Sequence, residues 1–260
     1  MKITVLGARG SIPVAGEDFD DYGGATSCVM VEAEGNTLFL DAGTGITAAG
    51  KCSGNISILL THPHLDHLHG LPFFPHMMEE GRRIDIYATV KNGLGAHDQV
   101  MRLISEPLWP CTPSDYPADI VFHDLTLPQV IDGIKVTGME SNHPGGSTIF
   151  RLEHQGESFV YATDYEHSDE KDTELTELCR GASLLFYDGQ YTGEEYESKH
   201  GYGHSIPEKG IKIMEDAGVR ILRIVHHDPL HTDDQLMALE NEIKSENVKF
   251  ARQGETIWLH

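Results

Sequence analysis

The sequence has no long apolar run, few basic residues and no clustered cysteines, and each of these absences argues against a class of protein. No apolar run approaches the roughly eighteen residues that a membrane span requires. With 19 lysines and arginines against 41 acidic residues, the net charge of −22 leaves little basic surface for holding long nucleic acids. The four cysteines are far apart and form no C-x-x-C pair, which argues against a zinc knuckle and a small disulfide framework.

Other patterns that are missing argue against further classes of protein. There is no low-complexity tract and no repeat of fixed period, which argues against a repeat protein. There is also no Gly-x-Ser-x-Gly elbow of a serine hydrolase and no Gly-Lys-Ser/Thr sequence of a P-loop. The segment Met1 to Gly7 becomes glycine-rich too early for a secretory signal, so we expect a cytoplasmic protein with reduced thiols. The length and the 39% hydrophobic content predict one domain over residues 1–260.

Short β-type runs recur along the whole chain, with helix-like segments between them rather than after every strand. This pattern favours two sheets with helices outside over a doubly wound parallel sheet. The predicted strands are Ile3–Leu6, Cys28–Glu32, Thr37–Leu40, Ile56–Leu60, Ile84–Ala88, Ile134–Thr137, Ile149–Leu152, Phe159–Ala162, Leu184–Tyr187 and Ile221–Val225, with a final hairpin over Val248–Leu259. The predicted helices are Leu68–Glu80, Gly95–Ile104, Thr173–Arg180, a segment capped at Ser205 that ends at Ala217, and Thr232 to about Lys244.

The segment at about 106–128 is rich in proline and aromatic residues. A long structured loop of this composition often covers an active site. The same composition suits a loop that packs onto its own domain or onto a second subunit. A lid, a loop packed onto its own domain and a dimer contact all remain open at this point.

Histidine is unusually abundant, with sixteen residues, and its densest group is His62-Pro63-His64-Leu65-Asp66-His67. This group directly follows the buried run at 56–60. Its first two histidines are two residues apart, so they share one face of an extended chain, whereas the Asp-His pair comes after a turn into helix. Two ligand pairs that approach from two directions suit two adjacent metal ions, and imidazole and carboxylate are ligands that Zn²⁺ or Mn²⁺ accept.

Completing two coordination shells requires ligands from elsewhere in the chain. His143, Asp164 and His226 each stand where a β-run ends, and His227 is a rival to His226. The Asp164 carboxylate could bridge two ions. Taken singly, each of these residues is equally consistent with an ordinary loop residue.

The order and spacing of these residues resemble the metallo-β-lactamase superfamily over almost the whole chain, and Asp41-Ala42-Gly43-Thr44-Gly45 resembles the family's Asp-x-Gly turn. The resemblance implies an α+β fold, an αββα sandwich of two mixed β-sheets with helices on the outer faces. It also implies a dinuclear site at one edge of the sheets. By position, Asp164 would lie between the ions, and the remaining ligands would be His62, His64 and His143 for one ion and Asp66, His67 and His226 for the other.

Two further features point to a branch of this superfamily. The bridging position, 164, is an aspartate rather than a cysteine, and in this the sequence resembles the members of the superfamily that hydrolyse esters and phosphodiesters. The segment Phe186–Tyr191, followed by Gly203-His204-Ser205, is similar to a signature of the tRNase Z-like phosphodiesterases. By that match Asp188 would orient His204, which would protonate the leaving group. The alternative is that His204 lies beside a helix cap and has no catalytic role. Asp66 is expected to be essential for turnover in addition to being a metal ligand.

The sequence also departs from tRNase Z, because it contains no separate basic or glycine-rich arm that would hold tRNA. The pattern H-x-H-L-D-H at 62–67 is similar to class II cyclic nucleotide phosphodiesterases. A purine would stack on an aromatic side chain from Phe73, Phe74, Trp109 or Tyr116.

We therefore expect a metal-dependent phosphodiesterase with two divalent ions, Zn²⁺ or Mn²⁺, that cleaves a small anionic substrate by metal-bound hydroxide attack on phosphorus. A 3′,5′-cyclic nucleotide or a related diester is the expected substrate. The alternatives are a metal-dependent hydrolase of a lactone, thioester or lactam, a tRNA 3′-processing endonuclease, and a non-catalytic metal-stabilised binding protein. No long nucleic acid or membrane partner is expected, and the resemblance implies a homodimer.

Overall fold

Two seven-stranded β-sheets form the centre of the computed structural model, which describes residues 1–260. In spatial order the first sheet contains β14 (Thr256–Trp258), β1 (Lys2–Gly7), β2 (Cys28–Ala33), β3 (Asn36–Leu40), β4 (Ile56–Leu60), β5 (Arg83–Ala88) and β6 (Asp119–Asp124). The second contains β13 (Val248–Phe250), β12 (Ile221–Val225), β11 (Leu184–Asp188), β10 (Glu157–Ala162), β9 (Thr148–His154), β8 (Ile134–Glu140) and β7 (Gln129–Ile131).

Both sheets are mixed, with antiparallel pairs on one side and parallel pairs on the other. Strands β3 to β6 pair in parallel in the first sheet, and strands β10 to β13 pair in parallel in the second. The helices are α1 (Leu65–Leu68), α2 (Ala96–Met101), α3 (Asp169–Cys179), α4 (Gly193–Tyr196), α5 (Pro207–Ala217) and α6 (Asp233–Glu242).

The packing of β11 shows how the layers are built. Leu184 and Phe186 lie in the core between the two sheets, whereas Leu185 and Tyr187 lie in the outer core beneath α3, α5 and α6. Because both faces of this strand are covered, all its residues are buried and its sequence is continuously apolar until Asp188. Helix α2 contributes to a third core on the other side of the first sheet. The αββα sandwich expected from the sequence is confirmed.

Two predicted elements are wrong for identifiable reasons. The helix expected over Leu68–Glu80 is broken into short 3₁₀ turns at Leu71–Phe73 and Pro75–Met78, because each turn has a proline at its start that cannot continue an α-helix. The C-terminal hairpin does not form either. Strand β13 pairs with β12 in the second sheet, whereas β14 pairs with β1 in the first.

The segment at 106–128 is not entirely a loop, because residues Asp119–Asp124 form the edge strand of the first sheet. This strand is half-buried and carries an aspartate at each end, a charge placement that protects exposed sheet edges from further pairing. The irregular part therefore ends before residue 119. The short strand β7 was also missed, since three residues give too little pattern to detect.

Helix starts follow local capping chemistry. Thr232 and Gln235 form a reciprocal capping box at α6, as expected for that position. Helix α3 begins earlier than predicted because the Ser168 side chain accepts a hydrogen bond from the Lys171 N–H. Ser205 is not the cap of α5, since its hydroxyl instead contacts the Tyr187 hydroxyl at 2.9 Å.

None of the helices is both long enough and apolar enough to cross a lipid bilayer.

The core between the sheets sets the stability of the fold. Phe150 is fully buried there, whereas Val130 on the edge strand β7 is 66% exposed. Phe150→Ala should lower the free energy of unfolding by about 3–5 kcal/mol, because it removes a packed ring and leaves a cavity. Val130→Ala is the matched control and should change it by less than about 0.5 kcal/mol. Urea denaturation measures both, and equal effects would contradict this assignment of the core.

Candidate metal centre

The candidate site lies where parallel strands of both sheets end at one edge of the sandwich. Asp164, Asp188 and His226 follow or end β10, β11 and β12, whose parallel pairing in register brings their carboxyl ends together. The histidine-rich segment after β4 comes from the other sheet. A backbone hydrogen bond from Thr148 N–H to the Thr61 carbonyl, 3.1 Å long, joins the two sheets beside it.

The first ligand group faces one oxygen of Asp164. The Nε2 atoms of His62 and His143 lie 3.7 and 3.6 Å from Asp164 Oδ1. His64 completes the group, with its Nδ1 atom 3.1 Å from His143 Nε2. One ligand atom from each of these four side chains lies within 4.8 Å of the others.

The second group faces the other oxygen of the same carboxylate. His67 Nε2 lies 3.0 Å from Asp164 Oδ2, and His226 Nδ1 lies 3.4 Å from it. Asp66 Oδ2 is 3.3 Å from His67 Nε2 and 3.6 Å from His226 Nε2. The structure thus brings together all seven side chains that the sequence nominated as ligands, with Asp164 between the two groups.

The free nitrogen atoms of this cluster fit a metal. The Nε2 atoms of His62 and His67 are buried and make no hydrogen bond. Their Nδ1 atoms are occupied, because His62 Nδ1 lies 3.0 Å from the Thr61 hydroxyl, which itself donates to Asp41. His143 Nδ1 likewise donates to the Gly203 carbonyl at 2.9 Å. Such partners fix the tautomer that leaves Nε2 as a lone-pair donor, which is the usual environment of a metal-binding histidine.

Asp41 holds this arrangement from behind. Its carboxylate accepts a hydrogen bond from His67 Nδ1 at 2.7 Å and from the Thr61 N–H at 2.8 Å. A carboxylate bonded to the far nitrogen of a ligand histidine is a common supporting partner of zinc sites. The sequence indicated Asp41 only as part of a turn, so its role in orienting His67 was missed.

The electrostatics divide the cluster into neutral and charged members. Burial and neighbouring imidazoles lower the pKa of His62 and His64, so both rings are neutral. Burial alone would raise the pKa of Asp164, but the surrounding histidines hold it well below its usual value. Burial disfavours a charged His67, but the carboxylates of Asp164, Asp66 and Asp41 raise its pKa well above the usual value. A divalent cation would displace that proton, since metal and proton compete for one lone pair.

Three residues that build the site adopt the left-handed backbone region. The φ angles are 61° at Asp41, 53° at Asp164 and 64° at His226. Left-handed φ is uncommon for residues other than glycine and often marks functional sites. Here it turns the chain sharply at strand ends, so that each side chain points back toward the cluster. Gly10 allows the N-terminal loop to pass close by, because a Cβ there would lie 2.4 Å from the His226 ring.

Asp188 and His204 form a pair next to the ligands. His204 Nδ1 donates to Asp188 Oδ2 at 2.9 Å, and the His204 ring stacks on His226 with centroids 4.7 Å apart. Burial lowers the pKa of His204, but the Asp188 carboxylate outweighs this effect and raises it to about 9. The Asp188 carboxylate therefore favours the charged form of His204, whose ring is held beside the cluster. The structure thus places the His204 ring against a candidate ligand, whereas its catalytic role stays a prediction.

His226 and His227 point to different places. His226 joins the ligand cluster, whereas His227 donates from Nε2 to the Ala251 carbonyl at 2.9 Å within the protein interior. Burial lowers the pKa of His227 to about 3. The structure thus places His226, and not His227, among the candidate ligands.

The aromatic residues considered for base stacking are not equally available. Phe74 is fully buried against Phe39, which removes it from contact with any ligand. Trp109 lies edge-on to the exposed Phe73, and its indole N–H donates to the Tyr116 hydroxyl at 3.1 Å. The loop before β6 therefore packs onto its own domain, next to the segment that follows α1.

The comparisons with known proteins agree with this geometry. A family model described as beta-lactamase superfamily domain matches residues 36–227. The chain belongs to the metallo-β-lactamase superfamily. This confirms the superfamily inferred from the sequence. It also places the chain among metal-dependent hydrolases, whose members typically use divalent metals such as zinc.

The curated relatives are ribonuclease Z proteins. The enzyme from Bradyrhizobium diazoefficiens is 31% identical over 135 residues, which cover 50% of this chain and 41% of the relative. The enzyme from Bacillus velezensis is 23% identical over 239 residues, which cover 75% of this chain and 78% of the relative. The chain thus spans less than half the length of the first of these relatives.

Solved structures of the same fold have little sequence in common with this chain. The metallo-β-lactamase fold protein YhfI from Bacillus subtilis has a TM-score of 0.73 at 18% identity, covering 98% of both chains. The short form of human tRNase Z has a TM-score of 0.71 at 19% identity, covering 99% of both. A diphosphatase of the PhnP family has a TM-score of 0.71 at 19% identity, covering 100% of this chain and 98% of the other. At these identities the likeness establishes the fold alone.

The role of Asp41 in this metallo-β-lactamase site is testable by metal affinity. Asp41→Asn keeps the size and the left-handed backbone preference but weakens the hydrogen bond that orients His67. Affinity for Zn²⁺ should fall roughly 10- to 100-fold, the usual effect of losing such a partner. Competition with a chelator measures it. Asp132→Asn is the matched control, since Asp132 also has positive φ but accepts from Ser57; unchanged affinity in Asp41→Asn would contradict the assignment.

Proposed function

We propose that this protein is a dinuclear metal-dependent phosphodiesterase that cleaves a small phosphodiester, with a 3′,5′-cyclic nucleotide or a related diester as the best candidate. The observation that carries the proposal is the Asp188–His204 pair, which places a carboxylate-held imidazole beside a seven-residue ligand cluster. The departing alkoxide of a phosphodiester needs a proton or a metal contact, and we assign this task to His204 with Asp188. A lactone, thioester or lactam hydrolase would share the same ligands, so the substrate panel described below separates it from a phosphodiesterase.

The ligands divide into two shells that share one residue. His62, His64 and His143 would hold one ion, Asp66, His67 and His226 the other, and Asp164 would contact both. When bound, two such divalent ions would lower the pKa of water to near neutrality and would provide positive charge for the phosphate oxygens. Zn²⁺ and Mn²⁺ are the candidate ions, because both accept imidazole and carboxylate ligands. Asp66 has a further task, because its Oδ2 accepts the Ser11 N–H at 2.8 Å and so fixes the N-terminal loop at the site.

The task assigned to His204 is to give its proton to the departing oxygen. Its Nδ1–H is committed to Asp188, which leaves the Nε2–H as the transferable proton. Asp188 is itself held by backbone donors, the N–H groups of Tyr165, Gln190 and Ser205, at 3.1–3.3 Å. A carboxylate fixed in this way keeps the imidazole in one orientation and one tautomer throughout the reaction.

Charge supports a small substrate. At a net charge of −22, the protein repels an extended polyanion unless a local basic surface offsets the repulsion. A mononucleotide presents a single phosphate to the cluster and meets much less of this repulsion. The same argument favours a single phosphodiester over a long RNA.

The ribonuclease Z relatives favour a second candidate, cleavage at the 3′ side of a tRNA precursor. Against it stands the connection between β9 and β10, the strands between His143 and Asp164, which is a turn of only two residues, Gln155 and Gly156. That turn offers no extension for holding a folded RNA. Incubation with a precursor tRNA, beside a panel of cyclic mononucleotides, cyclic dinucleotides, bis(nitrophenyl) phosphate and lactones, discriminates between all the candidates.

Replacing His204 tests the proposed acid directly. His204→Ala should reduce kcat about 10²- to 10⁴-fold for a diester with an alkoxide leaving group, the range of general acid catalysis. It should reduce kcat far less for a nitrophenolate leaving group, which departs without a proton. Steady-state kinetics on the two substrate types measure the ratio.

The control for this substitution is His123→Ala, which removes another histidine paired to an aspartate, Asp85, at the sheet edge. It should leave both rates unchanged. Equal losses on both substrate types in His204→Ala would exclude His204 as the acid while leaving the ligand assignment intact.

A further inference from the structure

Glu166 lies two residues after Asp164, and its carboxylate binds the loop that leads into His204. Its side chain is 11% exposed. Oε1 accepts the Gly201 N–H at 2.7 Å and the Tyr196 hydroxyl at 3.1 Å, and Oε2 accepts the Gly203 N–H at 2.9 Å. Both oxygens therefore bind one segment, from the end of α4 at Tyr196 to Gly203.

The backbone of Glu166 is fixed on a different segment. Its N–H donates to the Asn142 carbonyl at 3.0 Å, and the Asn142 side-chain amide donates to the Glu166 carbonyl at 3.0 Å. Asn142 directly precedes His143. One residue thus connects the segments that carry His143, Asp164 and His204.

Gly203 transmits the contact to both functional histidines. Its N–H is held by Glu166, and its carbonyl accepts the Nδ1–H of His143 at 2.9 Å. His204 is the next residue along the chain. Gly203 has φ of +91°, and a Cβ there would lie 2.2 Å from His143 Nδ1, so the loop backbone packs directly on the ring.

We infer that Glu166 is a positioning residue, which sets the Gly203 backbone and thereby orients both His143 as a ligand and His204 as the proton donor. This inference rests on the proposed function for the His204 part, whereas the His143 part stands on the geometry of the ligand cluster. The Glu166 carboxylate makes its hydrogen bonds to Tyr196, Gly201 and Gly203 and to none of the candidate ligands. Its effect passes through hydrogen bonds to the loop.

The test compares Glu166→Gln and Glu166→Ala with the intact protein at saturating Zn²⁺. Glutamine retains the size but offers one acceptor oxygen, so one of the two glycine N–H groups loses its partner. In Glu166→Ala, kcat for a diester with an alkoxide leaving group should fall roughly a hundredfold, because a small displacement of a catalytic group has an effect of this size. The nitrophenolate diester should be affected much less, which reproduces the pattern of His204→Ala, and Glu166→Gln should lie between.

Two readouts do not depend on turnover. Zn²⁺ affinity should fall roughly tenfold or more in Glu166→Ala, because His143 loses its fixed partner. Amide hydrogen exchange should accelerate at residues 201–203 while the core strands keep their protection. If the intact protein cleaves no phosphodiester, the proposed function fails and these two readouts alone decide the role of Glu166.

Two control variants separate positioning from general destabilisation. Glu240→Gln alters another largely buried glutamate that accepts a backbone N–H, that of Phe250, so it should cost stability without changing the leaving-group ratio or the metal affinity. Tyr196→Phe removes one donor to Glu166 and keeps both glycine contacts, so it should behave as the intact protein. The inference is overturned if Glu166→Ala folds with unchanged metal affinity and exchange, or if its losses match those of Glu240→Gln.

Discussion

The burial of charge at one edge of the two sheets is the constraint on which the rest of this structure depends. Asp66 and Asp164 are almost completely enclosed, together with His62, His67 and His226, in a region where weak screening strengthens every electrostatic interaction. Two ring nitrogens there make no hydrogen bond, which is costly for buried polar groups. Divalent cations would satisfy the nitrogens and the carboxylates together, so metal binding and the stability of this edge are coupled.

The backbone at this edge is strained because the strands must stop and reverse where their side chains meet. Left-handed φ at Asp41, Asp164 and His226 costs about 1 kcal/mol or more at each position and persists because the surrounding structure holds it. The strands that precede these residues are buried on both faces, and their cores offset the strain. Supporting carboxylates, Asp41 behind His67 and Glu166 behind the His204 loop, then set the side-chain directions that the backbone alone leaves free.

Much of the fold could be predicted because buried strands leave a strong local pattern. Ile56–Leu60 and Ile221–Val225 have the bounds that their apolar runs indicate. The half-buried strand Asp119–Asp124 was missed, because a strand with both faces partly exposed has no such pattern. Strand β13 pairs with β12, more than twenty residues away along the chain, and β14 pairs with β1, more than two hundred residues away. No local signal encodes these pairings.

The ligands were recognisable because histidine and aspartate at strand ends are chemically distinctive. Asp41 and Glu166 were not recognised in these roles, because a hydrogen bond to a distant partner leaves no mark in the nearby sequence.

The account depends on seven side chains acting as one dinuclear site, and metal stoichiometry tests it most directly. Elemental analysis of protein purified without chelators and dialysed against metal-free buffer, with activity measured on the same sample, gives the number of bound ions. The account predicts two divalent ions per chain and loss of all turnover when they are removed. A sample that is fully active with less than one divalent ion per chain would contradict it.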